Sequence, residues 1–86
     1  MYVILVYDIG HKRVGKMLKL CRRYLHWIQN SVFEGDITQV KLKSLISEAN
    51  SLMKENDSLI IFKSRESHWL EKEVHGTEKN SLDSFI

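Results

Sequence analysis

Proline is absent from this 86-residue chain, and glycine occurs only four times. With no proline-rich, glycine-rich or low-complexity stretch there is no signal for a linker, so the chain reads as one domain. A single cysteine, Cys21, excludes an intrachain disulfide and a four-thiolate zinc site. It suits a reducing cytoplasm, where the protein is expected to reside. The apolar run over residues 1–7 is too short to cross a bilayer. No basic region precedes it and no small-residue cleavage site follows, so neither a signal peptide nor membrane association is expected. Glycine-rich phosphate loops and serine-triad patterns are also missing. The last shortage is of acid: no aspartate or glutamate occurs between Asp8 and Glu34.

What remains is an ordinary globular composition, 43% apolar, which argues against disorder. Thirteen Lys and Arg against eleven Asp and Glu leave a net charge of +2, too small to argue by itself for a nucleic-acid partner. Residues 2–8 are almost continuously apolar, with β-branched and aromatic side chains. They predict a central strand covered on both faces, ending at Asp8, with a turn at Gly10. Residues 12–26 predict a helix, since Val14, Leu18, Cys21 and Leu25 recur at helical spacing. Residues 27–37 are extended, either as one kinked strand or as two short strands joined near Asn30, and Gly35-Asp36 suggests a bulge or turn. Residues 39–55 predict a second helix, capped by Thr38, with Leu42, Leu45, Ile46, Ala49, Leu52 and Met53 on one stripe. Ser58 to Lys63 is a further buried strand, and Trp69 to Val74 reads as a last one, broken by Gly76.

The order β-α-β(β)-α-β-β favours a layered α/β sheet. Right-handed crossovers put both helices on one face and leave the other bare. The simplest cover for a bare apolar face on a small chain is a second copy of itself. The polar tail ends in Leu82, Phe85 and Ile86. Residues 1–76 are therefore read as the domain, and residues 77–86 as a segment that docks on the partner subunit.

Two features carry candidate chemistry. Asp8 at a strand end is either a turn or capping residue or a hard oxygen ligand for a divalent cation. Lys12, Lys16, Lys19 and Arg23 form one stripe of the first helix, flanked by Arg13 and Arg22. Such a stripe is either a solvated face or a phosphate-binding surface. His11, His26, His68 and His75 have no metal-cluster spacing. Cys21 lies on the apolar helix face, and Trp27 and Trp69 are expected to pack at element ends.

Tyr7-Asp8 at a strand end, the basic helix after it, and the string Ile28-Gln29-Asn30-Ser31-Val32-Phe33-Glu34-Gly35 together resemble one family. It is the small CRISPR-associated spacer-acquisition subunit, the second Cas protein. The strand Asp57-Ser58-Leu59-Ile60-Ile61-Phe62 and the segment from Trp69 to Gly76 are similar too. The resemblance implies a ferredoxin-like βαββαβ sandwich of the α+β class, with an extra C-terminal strand, that dimerises through its sheets. It implies that Asp8 approaches its symmetry mate, and that the pair can hold Mg²⁺ or Mn²⁺ as the catalytic and metal site. Ser31 and Phe33 fall in the family string. Ser31 supports the waters of such a site or satisfies backbone groups, and Phe33 reads as core or dimer interface.

The activity implied is metal-dependent endonuclease action on single-stranded RNA or on DNA. The partners implied are a second copy of the chain, DNA or RNA, and the CRISPR integrase subunit in a heterohexamer-type complex. Lys12, Arg13, Lys16, Lys19 and Arg23 are the candidate nucleic-acid contacts. Two alternatives stand beside this reading: a purely non-catalytic DNA-binding scaffold, and a toxin-like ribonuclease of the virulence-associated protein D type, which shares the fold.

Overall fold

The computed structural model describes residues 1–65, 71 and 73–77. Strand β1 (Tyr2–Asp8) leads through a 3-10 turn at His11–Arg13 into helix α1 (Val14–Arg22). Then follow β2 (His26–Gln29), β3 (Val32–Asp36), α2 (Gln39–Leu52) and β4 (Ser58–Ser64). The four strands form one sheet in the order β2-β3-β1-β4, with every pairing antiparallel. This βαββαβ order is the ferredoxin-like arrangement.

The side chains of β1 alternate between two environments. Val3 and Leu5 are fully buried and Tyr7 nearly so; all three face the helices, where Phe33 of β3 and Leu59 and Ile61 of β4 join them. Onto this face α1 lays Met17, Leu20 and Cys21, and α2 lays Leu42, Leu45 and Ala49. Burial pushes the Cys21 thiol up to about 12, so it behaves as a small apolar side chain. On the opposite face, Tyr2, Ile4, Val6 and Asp8 lie beside Ser58, Ile60, Phe62 and Ser64 of β4 by register. There Ile60 and Phe62 remain 52% and 59% exposed.

The segment 27–37 resolves as a hairpin. The turn at Asn30 has a positive φ of 46°, a conformation that asparagine tolerates better than most residues. The Trp27 indole N–H donates to the Asn30 carbonyl at 2.9 Å and braces the turn. The irregularity lies between Trp27 and Gln29 in β2, not at Gly35-Asp36. Both of those residues stay in β3, paired with Val3 and Tyr2. Gly35 is needed for its φ of +155°, which side-chain-bearing residues rarely adopt.

Both helices are shorter than their apolar patterns. Helix α1 ends at Arg22, because the chain must turn within three residues to start β2 at His26. The Leu25 N–H, donating to the Cys21 carbonyl at 2.8 Å, closes that turn. Helix α2 begins where expected, with Thr38 Oγ1 accepting from the Lys41 N–H at 3.2 Å. The expected strand over 69–74 and the side chains Leu82, Phe85 and Ile86 fall mostly or wholly outside the described residues. Glu71, Glu73 and Val74 are described and lie in no strand.

Leu45 is fully buried between the helix layer and the sheet. Leu45→Ala should lower unfolding stability by about 2–5 kcal/mol through lost transfer energy and the cavity left behind. Chemical denaturation should show a shifted midpoint at an unchanged slope.

Candidate functional site

Asp8 is the last residue of the central strand and is exposed. Strand alternation puts it on the open sheet face, in the same row as Ile4 and Val6 and opposite Ser58 of β4. The Tyr7 N–H donates to the Ser31 carbonyl at 3.2 Å, which draws the β2–β3 turn alongside the strand end. Tyr7, Asp8, Ile9, Val14, Asn30 and Ser31 line the resulting open depression. Two expected site residues, Asp8 and Ser31, thus meet there. Phe33 does not reach it: the ring is fully buried and stacks on Tyr7 at 6.1 Å. It supports the site from inside, by fixing the residue before Asp8.

The donor set suits a hard cation in kind, since it offers carboxylate and hydroxyl oxygens from Asp8 and Ser31. Among the described residues no three His, Cys, Asp or Glu side chains come together as a metal cluster. Asp8 is the single carboxylate among the described residues that line the depression.

The segment after Asp8 is held by a residue 47 positions from Gly10 along the chain. Asp57 Oδ1 accepts from the Gly10 N–H at 2.8 Å and from Arg13 Nη2 at 2.9 Å. Asp57 Oδ2 accepts from Arg13 Nε and from the Lys54 N–H, each at 2.9 Å. The Asp57 side chain is only 3% exposed. Helix α1 and its leading 3-10 turn have no acidic residue in the first turn and no side-chain cap. Asp57 supplies the missing negative charge at that cationic helix start. Nothing in a local capping pattern reveals it, because it lies 44 residues from Arg13.

The cationic stripe divides in the same way. Arg13 is engaged bidentately by Asp57. Arg23 Nη1 pairs with Glu48 Oε1 of α2 at 3.2 Å, and the Tyr24 hydroxyl donates to Glu48 Oε2 at 2.6 Å. Arg22 lies over the Trp27 ring at 5.1 Å. Lys12, Lys16 and Lys19 are exposed and form no ion pair with a described residue. Of the stripe itself, these three are left for an external anion. Lys16, Lys19 and Arg23 also rim a groove between the helices whose floor includes Leu20 and Leu52.

These features define a class: a small ferredoxin-like domain with a strand-end aspartate on an open apolar sheet face and a cationic helix beside it. Comparison with known proteins identifies the family. The family model described as CRISPR associated protein Cas2 matches residues 1–72, and the chain belongs to that family. A CRISPR-associated endoribonuclease Cas2 of Fusobacterium nucleatum subsp. nucleatum is 44% identical over 92 aligned residues, covering 100% of this chain and 87% of the relative. The protein of the same description from Dictyoglomus turgidum is 41% identical over 87 residues, covering 100% of both chains. A crystal structure of a Cas2 protein superposes with a TM-score of 0.87 at 38% identity, covering 95% of this chain and 93% of that one. No helix among the described residues is long and apolar enough to cross a membrane.

The Lys54 amide, the Gly10 amide and the Arg13 guanidinium hold the Asp57 carboxyl below the ordinary aspartate range, against the opposing effect of burial. A carboxyl lowered in the folded state stabilises fully above its unfolded value of about 3.9, and that contribution is lost as pH falls through the lower native value. Urea midpoints measured from pH 5 downward should therefore fall more steeply below about pH 4 for the wild type than for Asp57→Ala. Parallel curves would show that the clamp adds no pH-linked stability.

Proposed function

We propose that this chain acts in CRISPR adaptation as a homodimeric nucleic-acid-binding protein that bridges integrase subunits and hydrolyses phosphodiester bonds at paired Asp8 residues. One observation carries the reading: Asp8 ends the same open sheet face that exposes Ile60 and Phe62. Exposed apolar side chains on a sheet face mark an association surface. A two-fold partner would cover them by self-complementary contact and bring a second Asp8 toward the first. The relatives described as endoribonucleases support the hydrolytic part.

Asp8 and its partner's counterpart would hold Mg²⁺ or Mn²⁺, and Ser31 would orient water at the mouth of the depression. When bound, the cation would polarise the phosphate and lower the pKa of attacking water. The residues of the chain do the rest. Lys12, Lys16 and Lys19 hold the phosphate backbone by charge, without reading bases. Tyr7, stacked on Phe33, keeps the strand end in place.

The scaffold role draws on a separate observation. The free lysines lie on the 3-10 turn (Lys12) and on α1 (Lys16 and Lys19), not on the strand that carries Asp8, so binding does not need the carboxylate. Its expected partners are DNA and an integrase subunit.

Cleavage of single-stranded RNA by Asp8→Ala should fall at least about 100-fold, the equivalent of about 2.7 kcal/mol of lost charge stabilisation. Affinity for the nucleic acid should hold or rise, because a negative charge is removed. Phe62→Glu should sediment as a monomer and lose cleavage as well. Full activity in Asp8→Ala would remove Asp8 from the reaction, and a wild type that sediments as a monomer at micromolar concentration would remove the dimer.

Binding should be indifferent to sequence and sensitive to salt. Lys16→Ala combined with Lys19→Ala should flatten the slope of log affinity against log salt by about two units. An unchanged slope would make the stripe a solvated helix face only.

A further inference from the structure

We infer that Asp57 is a positioning residue for Asp8: it fixes the direction of the strand-end carboxylate by clamping the segment that leaves the strand. The inference rests on the reading of Asp8 as the metal-binding and cleaving carboxylate.

The clamp is built on a local turn. The Asp57 N–H donates to the Lys54 carbonyl at 3.0 Å, and the Lys54 N–H returns a bond to Asp57 Oδ2 at 2.9 Å. This reciprocal pair closes the turn that follows α2, with Asn56 at a φ of 73°. The turn itself thereby aims the carboxylate. It also takes the Gly10 N–H and the Arg13 fork on its remaining lone pairs, so that its two oxygens accept four N–H donors.

Asp8 is held on both sides as a result. Through the β-ladder it is the register partner of Ser58, the residue immediately after Asp57. Through the loop, Gly10, two residues beyond Asp8, is bonded to Asp57 itself. Only Ile9 lies between the two restraints, so the φ and ψ angles that aim the Asp8 side chain cannot drift independently of β4.

Gly10 shows how tight this arrangement is. A Cβ there would fall on Arg13 Nη2 and lie 3.0 Å from Arg13 Cζ. The guanidinium would have to leave its place on Asp57 to make room. The constraint at Gly10 comes from this close approach, not from its φ of −58°.

Asp57 is nearly inaccessible, so it touches neither nucleic acid nor metal. Any effect it has on metal binding is exerted through the Gly10 to Arg13 segment that it holds beside Asp8. That separates its signature from general stabilisation, which would change the folded fraction and leave the folded enzyme's chemistry alone.

The test uses the full chain and three variants: Asp57→Asn, Gly10→Ala and Arg13→Lys. Mn²⁺ titrated alone, followed by electron paramagnetic resonance, first compares wild type with Asp8→Ala. Binding lost in Asp8→Ala establishes the site on which the inference depends. Asp57→Asn should then weaken Mn²⁺ binding roughly 10- to 100-fold, the usual cost of removing a group that orients a metal ligand. Its kcat on single-stranded RNA should fall about as much, with KM within about twofold. Exchange of the Gly10 amide proton should speed up in the same variant. Gly10→Ala, which displaces the guanidinium, should move all three readouts in the same direction, and Arg13→Lys should be intermediate.

If Asp57→Asn and Gly10→Ala both keep wild-type Mn²⁺ affinity and kcat while Gly10 exchange accelerates, the clamp is structural only and the inference is wrong. If Mn²⁺ binding depends on Asp8 and on Asp57 but no variant alters cleavage, the positioning role stands and the hydrolytic reading falls. A wild type that binds no Mn²⁺ through Asp8 overturns both.

Discussion

Strand β1 pairs with β3 on one side and β4 on the other, and its pleat assigns each side chain to one of two fates. Val3, Leu5 and Tyr7 become core. Tyr2, Ile4, Val6 and Asp8 become the open face. A slip of one residue would exchange the sets, sending a carboxylate into the core and the core residues outward. Pairing on both edges makes that slip costly. The hydrophobic core and the position of Asp8 are therefore consequences of one register, and neither can change without the other.

A second constraint is electrostatic. Helix α1 begins and ends among cations with no acidic residue of its own. Left uncompensated, its start would oppose the helix dipole and its arginines would repel one another. The tertiary structure brings one carboxylate to each end. Asp57, from the turn before β4, meets Gly10 and Arg13. Glu48 of α2 meets Arg23 and Tyr24. The two acids differ in setting: Asp57 is almost closed off, whereas the Glu48 side chain is 43% exposed. The first pair fixes a loop, while the second is a surface contact of the kind that adds little to stability. What survives this pairing of the stripe is a shorter cationic surface of Lys12 in the 3-10 turn and Lys16 and Lys19 on α1, apart from the strand that carries Asp8. In the proposed function, binding and hydrolysis would therefore draw on different parts of the domain.

Most of the architecture was legible from the pattern of residues. The β1 strand over residues 2–8, the Thr38 cap and the β4 strand beginning at Ser58 agree with the structure because each rests on a local signal: an apolar run, a hydroxyl before a helix, an apolar run after a turn. The reading was weaker where two elements compete for the same residues. The pattern of α1 continues to Leu25 and His26, yet β2 claims His26 for its pairing with Glu34, and the helix yields at Arg22. At Gly35 the residue type suggested a bulge. The strand instead uses glycine for an unusual φ while keeping its ladder, and the irregularity falls in β2, where no glycine marks it.

By itself the sequence determined which faces exist: period-two alternation and helical stripes depend on backbone geometry that every residue shares, so they can be read without knowing what packs against what. It also determined that Asp8 would end a central strand and that a cationic helix would follow. Only the tertiary structure decided which charges remain free. Arg13 and Arg23 look the same as Lys16 and Lys19 in the sequence, because the carboxylates that engage them lie 44 and 25 residues away. Coulombic pairing and hydrogen bonding act through space, and distance along the chain carries no record of them until the fold closes.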